Sequence, residues 1–381
     1  MADPASPSRD ELAATLALAQ IRGIGASRLR TVVRASGGAV AAIRAPHAQL
    51  AALPGFSRAA ATAIRATTPA AGHTILEALD RLGARVLLAG DPAFPRLLRE
   101  IPDAPPVLYV WGDPSLLTRA AVAFVGSRNC SPYGRAATRL LAGSVAATGQ
   151  VVVVSGMARG IDAEAHEAAL EAGGGSVGVL GNGFGVIYPA AHRALYDRMV
   201  ASGCLITEHP PGERPHAGAF PRRNRLVAGL AAVTVVVEAA VSSGALITAD
   251  CALDQGRTVL AVPGPITSAT SAGCNKLIQQ GAKPALVAGD ILEELGLPGD
   301  RERGEGSGRS PGAGGPGARV PPSDLDPLQR TLWDALAPEP THVDALVAAG
   351  GGDTGRVLTA LTELEMRGIV KQEAGMMFGL R

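Results

Sequence analysis

Residues 151–170 read "VVVVSGMARGIDAEAHEAAL", which is a continuous apolar run, a turn rich in small residues and then a helical stretch. The same order recurs between about residues 85 and 297. The apolar runs there are AVAFVGS, VVVVSG, SVGVLG, CLITE, VTVVVEA and TVLAVPG. Short β-branched runs separated by helices of ten or more residues are typical of a parallel sheet covered on both faces. The sequence therefore predicts an α/β fold for this region.

Nearly every predicted strand ends in Gly, Ser or Glu, and in open α/β sheets ligands bind at the carboxyl ends of the strands. Three of the turns that follow combine small residues with Arg or with hydroxyl side chains, which favours contact with an anion. Their candidate residues are Gly126, Ser127 and Arg128; Ser155, Gly156, Arg159 and Gly160; and Ser242, Ser243, Gly244 and Thr248. Three such turns at one edge could hold several phosphates in a row. Asp162 and His166, in the second turn's helix, are interpreted as a helix cap and an i, i+4 pair.

The basic stretch "FPRRNRLVAG", residues 220–229, begins a predicted helix behind the strand CLITE. Its position predicts that its arginines lie at the same edge as the small-residue turns. Arg222 and Arg225 are one helical turn apart and therefore share a face. Phe220 suits stacking on an unpaired base, and a hydrophobic staple on its own helix is the alternative. The candidate residues in this stretch are Phe220, Arg222, Arg223, Asn224 and Arg225.

Composition limits the kinds of partner and of chemistry. The 381 residues carry a formal net charge of +1, so a nucleic-acid partner must be met by a local basic patch. The four cysteines are scattered, which predicts a reduced cytoplasmic setting and neither a disulfide framework nor a zinc site. No signal peptide and no apolar run of about 18 residues is present, so no membrane contact is expected. The sequence has no Walker, GxGxxG, HExxH or GxSxG motif, and we expect no cofactor, metal or catalytic residue.

The flanking regions predict further domains. Residues 1–75 are helical, and "LAQIRGIGAS" echoes "LAALPGFSRA" with Gly23 and Gly55 in register, which indicates either helix-hairpin-helix turns or an ordinary bundle. Residues 298–323 are rich in Gly, Pro and charge and predict a flexible linker. Residues 324–381 resemble a winged helix. Its third helix is expected to be capped by Asp353 or Thr354 and to bury Val357, Leu358, Leu361, Leu364 and Met366.

Several long blocks occur in the order found in the DNA-processing protein A (DprA/Smf) family, and the segment from about residue 90 to 297 closely resembles it. The blocks are VAFVGSRNCSPYG, VVSGMARGIDAEAH, SVGVLGNGFGVIYP, FPRRNRLVAGL, VVVEAAVSSGALITA, GRTVLAVPGPI and NKLIQQGA. The resemblance implies an extended Rossmann fold over residues 85–297. It also implies a homodimer that binds single-stranded DNA, protects incoming DNA and loads the RecA recombinase during natural transformation.

The resemblance also assigns roles to residues of this chain. Gly126, Ser127 and Arg128 would contact phosphates, and Phe220 with the segment 222–225 would grip the strand. Relatives often carry a basic residue just ahead of that Phe, and here either Arg214 or His216 could take its place. Leu277 and Ile278 are the expected dimer contact.

Two other functions are open at this stage. A nucleotide-hydrolysing enzyme of the lysine-decarboxylase-like (LOG) Rossmann type has a similar sheet, but its Gly-Gly-x-Gly-Thr-x-x-Glu turn is replaced here by SSGALITAD. A duplex-binding regulator would act through the winged helix, and deleting residues 324–381 would then abolish DNA binding. Glu363 and Glu365 on the third helix of that domain favour a protein-contact module over a duplex reader.

Overall fold

The computed structural model describes residues 8–298, 325–336, 341–367, 369–373 and 376–380. The chain forms two compact units, which divide between Gly304 and Glu305. The linker expected over residues 298–323 lies outside the described residues except for its first position. No helix within the described ranges is long and apolar enough to cross a membrane.

Six helices form the N-terminal part of the first unit. They are α1 (Arg9–Ala19), α2 (Ala26–Ser36), α3 (Ala39–Arg44), α4 (His47–Ala51), α5 (Arg58–Ala66) and α6 (Pro69–Leu82). The two echoed turns lie between α1 and α2 and between α4 and α5, and both Gly23 and Gly55 have a left-handed backbone there. Leu16 and Leu76 pack against Tyr109 of the sheet, so these helices share a core with the rest of the unit. The boundary expected at residue 75 falls inside α6.

Nine strands form the main sheet. They are β1 (Arg85–Leu88), β2 (Val107–Gly112), β3 (Ala120–Gly126), β4 (Val151–Ser155), β5 (Ser176–Val179), β6 (Cys204–Thr207), β7 (Val233–Glu238), β8 (Thr258–Ala261) and β9 (Lys283–Pro284). Their order is β1-β2-β6-β5-β4-β3-β7-β8-β9. The six predicted strands are β3 to β8, and they are parallel, as the pattern indicated. Two antiparallel pairings add β2 and β1 at one side, which the sequence analysis did not predict.

Helices cover both faces of this sheet. They are α7 (Arg96–Glu100), α8 (Pro132–Ala147), α9 (Ile161–Glu171), α10 (Arg193–Ser202), α11 (Ala219–Leu230), α12 (Gly244–Asp254), α13 (Ala272–Gln279) and α14 (Ala288–Glu294), with 3₁₀ turns at Pro114–Thr118 and Ala190–His192. Strand β3 shows why its apolar run is continuous. Val122 and Phe124 belong to the core under α8 and α9, whereas Ala123 and Val125 belong to the core under α11 and α12. Both faces are buried, as predicted.

The connections run in opposite directions on the two sides of β3, whose neighbours are β4 and β7. Such a topological switch point leaves a crevice outside the carboxyl ends of the two diverging strands. The ends of β3 and β7 at Gly126 and Glu238 therefore mark the position where a ligand site is expected.

The second unit is a winged helix. It contains α15 (Pro327–Ala335), β10 (Thr341–His342), α16 (Val343–Ala349), α17 (Thr354–Met366), β11 (Val370–Glu373) and β12 (Met377–Leu380). The side chain of Asp353 caps α17, because it accepts a hydrogen bond from the Arg356 N–H group at 3.1 Å. Four of the five residues expected on the apolar face are buried or partly buried. The prediction was wrong for Met366, the last residue of α17, which is 85% exposed.

Candidate nucleic-acid interface

A cavity of about 440 Å³ lies at the switch point between β3 and β7. The turns after β3, β4 and β7 all reach it, together with the first turn of α11. Among the predicted residues, those that line it are Gly126, Ser127, Arg128, Gly156, Phe220, Arg223, Asn224, Ser242, Ser243, Gly244 and Thr248. The fold thus brings together residues that are more than 100 positions apart in sequence. We call this space the switch-point cavity.

The turn after β3 is held by backbone contacts to its neighbours. The Ser127 N–H donates to the Glu238 carbonyl at 2.7 Å, and the Ser127 carbonyl accepts the Ile161 N–H at 3.1 Å. The Ser127 N–H is therefore occupied within the protein, although the sequence had suggested that N–H groups of this turn face an anion. Gly160, with φ +75°, lies against the same turn, and a Cβ there would be 2.8 Å from the Arg128 carbonyl carbon. Gly160 is thus a positioning residue that does not line the switch-point cavity.

Glu238, at the end of β7, is a second support for this loop and was not identified from the sequence. It is buried, and its carboxylate accepts hydrogen bonds from the Ser131 N–H at 3.0 Å and the Ser131 hydroxyl at 2.7 Å. Ser131 is also the N-cap of α8. Glu238 therefore fixes both ends of the segment that carries Arg128.

Arg128 and Phe220 line one wall of the cavity, and the ring of Tyr188 packs against Phe220 outside this lining. The Arg128 guanidinium carbon lies 5.5 Å from the centroid of the Phe220 ring, within the range of a cation–π contact. The ring of Tyr188 lies 5.2 Å from that of Phe220 at an interplanar angle of 36°. Tyr188 is exposed. This arrangement offers an apolar ring surface beside a guanidinium that has no carboxylate partner among the described residues, which is suited to an unpaired base and its phosphate.

Phe220 also has a structural role. It is the second residue of α11, and its ring covers Gly181, where a Cβ would be 3.1 Å from the ring. A second cavity of about 50 Å³ lies behind it and is lined by Arg159, Tyr188 and Arg223 among others. Arg159, which was predicted to belong to the site, therefore lines this smaller cavity and does not line the switch-point cavity. Tyr188 was missed by the sequence analysis, and its only signal was its place in the block SVGVLGNGFGVIYP.

Arg223 supplies a fixed charge beneath the cavity. Its Nη1 donates to the Val179 carbonyl at 2.6 Å, and a Cβ on Gly156 would come within 2.5 Å of its Nη2. Burial lowers the pKa of Arg223, and the nearby Asp162 carboxylate opposes that shift. Because only Gly leaves room here, Gly156 is required for the arginine to occupy this position.

Asp162 lies in the first turn of α9 and stabilises the turn after β4 by hydrogen bonds. Its carboxylate accepts hydrogen bonds from the Gly156 N–H at 3.1 Å and the Ala158 N–H at 3.3 Å. The helix cap expected at Asp162 is instead Gly160, so Asp162 ties the turn to the helix. Burial raises the pKa of Asp162, whereas the positive charge of Arg223 lowers it. Ser155 is also buried and donates to the Phe124 carbonyl at 2.6 Å, so it supports the strand and does not line the cavity.

The three arginines of the basic stretch lie on two different sides of α11. Arg223 faces the switch-point cavity, whereas Arg222 and Arg225 lie on the opposite side of α11. Arg225 is buried and forms ion pairs with Asp103 at 2.8 Å and Glu208 at 2.5 Å. The spacing correctly predicted that Arg222 and Arg225 share a face. The expectation that all three reach the edge with the small-residue turns was wrong for Arg222 and Arg225, because the apolar side of α11 sets the rotation of the helix.

The turn after β7 leads directly into α12. The Ser243 side chain caps this helix by accepting the Ala245 N–H at 3.2 Å. Asn224 reaches across from α11 and donates to the Gly244 carbonyl at 3.3 Å. The positive end of the α12 dipole therefore faces the cavity, where it favours an anion.

Four other predicted residues lie away from the cavity. His216 is exposed and lies against His209, with ring centroids 6.2 Å apart, and Arg214 is exposed in the same loop. Leu277 is only 8% exposed and packs in the core under α13, while Ile278 is partly buried. No cluster of His, Cys, Asp and Glu in the described part of the chain is arranged to hold a metal ion.

Comparison with known proteins identifies the family. Residues 85–296 match the model of DNA recombination-mediator protein A, and residues 316–376 match that of the DprA winged helix domain. The chain belongs to the DprA/Smf family. Protein Smf of Synechocystis sp. is 36% identical to it over 80% of this chain and 82% of that protein.

Two solved DprA structures are also similar. The X-ray structure of DprA from Streptococcus pneumoniae has a TM-score of 0.65 and 32% identity, and the match covers 76% of this chain and 98% of that one. DprA from Helicobacter pylori has a TM-score of 0.51 and 28% identity, covering 56% of this chain and 95% of that one. That structure describes a single-stranded DNA binding mode of the H. pylori protein. The DprA/Smf assignment therefore covers both the sheet and the winged helix of the present chain.

Proposed function

We propose that the chain binds single-stranded DNA at the switch-point cavity, with phosphates near Arg128 and the start of α12 and a base against Phe220 and Tyr188. The observation that carries this proposal is the meeting of three small-residue turns with Arg128 and Arg223 at one sheet edge. Buried Arg223 contributes positive charge without the entropy cost of ordering a free side chain. The H. pylori relative with a described single-strand binding mode supports the same reading.

Membership of the family also suggests a finer function. We infer a cytoplasmic, non-catalytic recombination mediator that acts as a homodimer, protects incoming single strands and loads RecA during natural transformation. The support is the match to the model of DNA recombination-mediator protein A over residues 85–296. The dimer contact at Leu277 and Ile278 stays a prediction, and the burial of Leu277 makes Ile278 the better candidate of the two.

The DNA-binding step is tested by fluorescence anisotropy with labelled oligothymidine and with a duplex of the same length. We expect the single strand to bind more tightly, with log K falling linearly with log salt by about 0.7 per phosphate neutralised. Arg128→Gln should reduce this slope by about 0.7, because one phosphate contact is lost. Arg198→Gln is a suitable control, since Arg198 is exposed on α10 and lies outside the cavity.

Deletion of residues 324–381 separates this proposal from a duplex-binding regulator. We expect the truncated chain to bind the single strand with nearly unchanged affinity, because the switch-point cavity lies entirely in the first unit. Loss of all DNA binding on this deletion would contradict the proposal. Release of free base from nucleoside monophosphates by the full chain would contradict its non-catalytic part.

RecA loading is tested on single strands already coated with single-strand-binding protein. The chain should shorten the lag before RecA begins to hydrolyse ATP on this DNA, and Arg128→Gln should restore part of the lag. An unchanged lag with the full chain, under conditions where it binds the DNA, would refute the loading role while leaving DNA binding intact.

A further inference from the structure

A second basic surface lies on the other side of α11. It is an open groove of about 680 Å³ between the α1–α2 turn, residues 101–107, residues 208–216 and the far face of α11. Its volume exceeds that of the switch-point cavity. We call it the N-terminal groove. None of the turns after β3, β4 and β7 reaches it, so it is separate from the site described above.

The charge of this groove is strongly positive. Its three carboxylates are already paired, because Asp103 and Glu208 contact Arg225 and Glu213 contacts His209. Five other arginines line the groove, and the described residues give none of them a carboxylate ion pair. They are Arg22, Arg28, Arg30, Arg99 and Arg222. In a chain of net charge +1, such a concentration at one surface indicates a polyanionic ligand.

Two further sets of donors face the same groove. Helix α2 has 11 residues, and its N-cap Gly25 provides no side-chain hydrogen bond, so the first N–H groups of the helix are available to an anion. The turn before it is held by Arg28, whose Nη1 donates to the Gly23 carbonyl at 2.8 Å. Arg225 lies in the groove wall, and its buried Nη1 has no hydrogen-bond partner among the described residues. A buried guanidinium nitrogen left without a hydrogen-bond acceptor destabilises the free protein.

Helix α11 lines both the groove and the switch-point cavity, on opposite sides of its axis. Arg223 and Asn224 line the cavity, whereas Arg222 and Arg225 line the groove. A helix with its side chains is about 10–12 Å wide, so a strand that leaves the cavity can reach the groove by crossing one helix. The geometry points to the N-terminal groove as a second phosphate site on the same single strand, continuing its path from the switch-point cavity across Arg222. This inference rests on the proposed function.

A flexible single strand suits this path better than a duplex does. Arg222 on α11 and the first residues of α2 line the same groove. A single backbone can follow the bend across α11 and reach both, whereas a stiff duplex, whose persistence length is about 150 base pairs, cannot bend over this distance at low cost. The ligand class is therefore the phosphodiester backbone of unpaired DNA.

The test compares two labelled oligothymidines, of about 6 and about 20 nucleotides, which bracket the span of a single binding module. The full chain is compared with the double variant Arg22→Glu/Arg30→Glu. Both arginines are exposed and line the groove. The matched control is Arg81→Glu/Arg198→Glu, which makes the same charge change at exposed positions outside the groove. Thermal melting of each variant verifies that the fold is retained.

Losing two phosphate contacts should reduce the salt slope for the longer strand by about 1.4 and weaken its binding about 25-fold at about 0.1 M salt. Binding of the shorter strand should be unchanged. Equal affinity of wild type and groove variant for the longer strand would overturn the inference, as would an equal loss in the control variant. A loss confined to duplex DNA would assign the groove to a different ligand. If the wild type binds neither oligothymidine, the proposed function itself fails.

Discussion

Replacement of Gly160 by Ala should displace the turn of Ser127 and Arg128, which lines the switch-point cavity. Gly160 has φ +75° and ψ −128°, a region of the backbone map that is nearly restricted to glycine. A Cβ there would also lie 2.8 Å from the Arg128 carbonyl carbon, compared with about 3.4 Å for an ordinary contact. The backbone strain costs about 1–3 kcal/mol, and the overpacking costs a further 1–3 kcal/mol or so. We therefore expect the free energy of unfolding to fall by about 4 kcal/mol.

The binding consequence follows from where the strain is relieved. The turn of Ser127 and Arg128 must move away from the added methyl group, which displaces Arg128 from its place over Phe220. Single-strand affinity should drop about tenfold, equivalent to about 1.4 kcal/mol. Gly173→Ala is the control, since Gly173 lies just beyond the other end of α9 with φ +71° and open space around its Cβ position. It should cost about 1 kcal/mol of left-handed strain and leave binding unchanged.

Chemical denaturation followed by circular dichroism measures the first effect, and anisotropy of a labelled oligothymidine measures the second. Equal losses of stability and equal affinities in the two alanine variants would show that the close approach at Gly160 has no consequence, contrary to this prediction.

Three further predictions concern single side chains. Phe220→Ala should weaken single-strand binding by about 1–3 kcal/mol and leave the salt slope unchanged, because it removes stacking and no charge. Anisotropy across a salt series measures both quantities. The control Phe220→Tyr keeps the ring and should bind like wild type. Arg225→Met should lower the free energy of unfolding by about 3 kcal/mol, because it leaves the largely buried Glu208 carboxylate unpaired. Binding of a short oligothymidine should change little, and a stable variant with lost binding would contradict this. Burial lowers the pKa of His166 from 6.5 to about 3. Between pH 6.5 and pH 3 the imidazole is therefore protonated in the unfolded chain and neutral in the folded chain, which favours unfolding as the pH falls. The free energy of unfolding should decrease by about 2 kcal/mol from pH 7 to pH 5. Denaturation of wild type and His166→Gln at both pH values tests this, and the variant should lack this loss.

The main architecture could be predicted because its signal is local. Each of β3 to β8 is a run of apolar residues buried on both faces, so the pattern does not depend on which helix covers which face. The added strands β1 and β2 were missed, since the antiparallel pairing of β2 with β6 depends on a contact about 95 residues away in sequence. Periodicity is a poor guide at the end of a helix. Met366 is on the apolar side of α17 by spacing, but it is the last residue of the helix and extends beyond the core into solvent.

The sequence predicted most of the residues that form the site, but it did not predict which way each side chain faces. Glycine-rich turns after strands converge because all parallel strands end at one edge, and this needed no knowledge of side-chain packing. The separate roles of Arg222, Arg223 and Arg225 could not be predicted, because they depend on the rotation of α11 about its own axis. Glu238 and Tyr188 contribute through partners distant in sequence, Ser131 and Phe220, which spacing alone does not indicate.

A crystal structure of the full chain with bound oligothymidine would show where the single strand lies. We expect phosphates in the switch-point cavity, within hydrogen-bonding distance of Arg128 and of the start of α12, and a base against Phe220 and Tyr188. DNA bound only to the winged helix, with the switch-point cavity empty, would contradict this expectation.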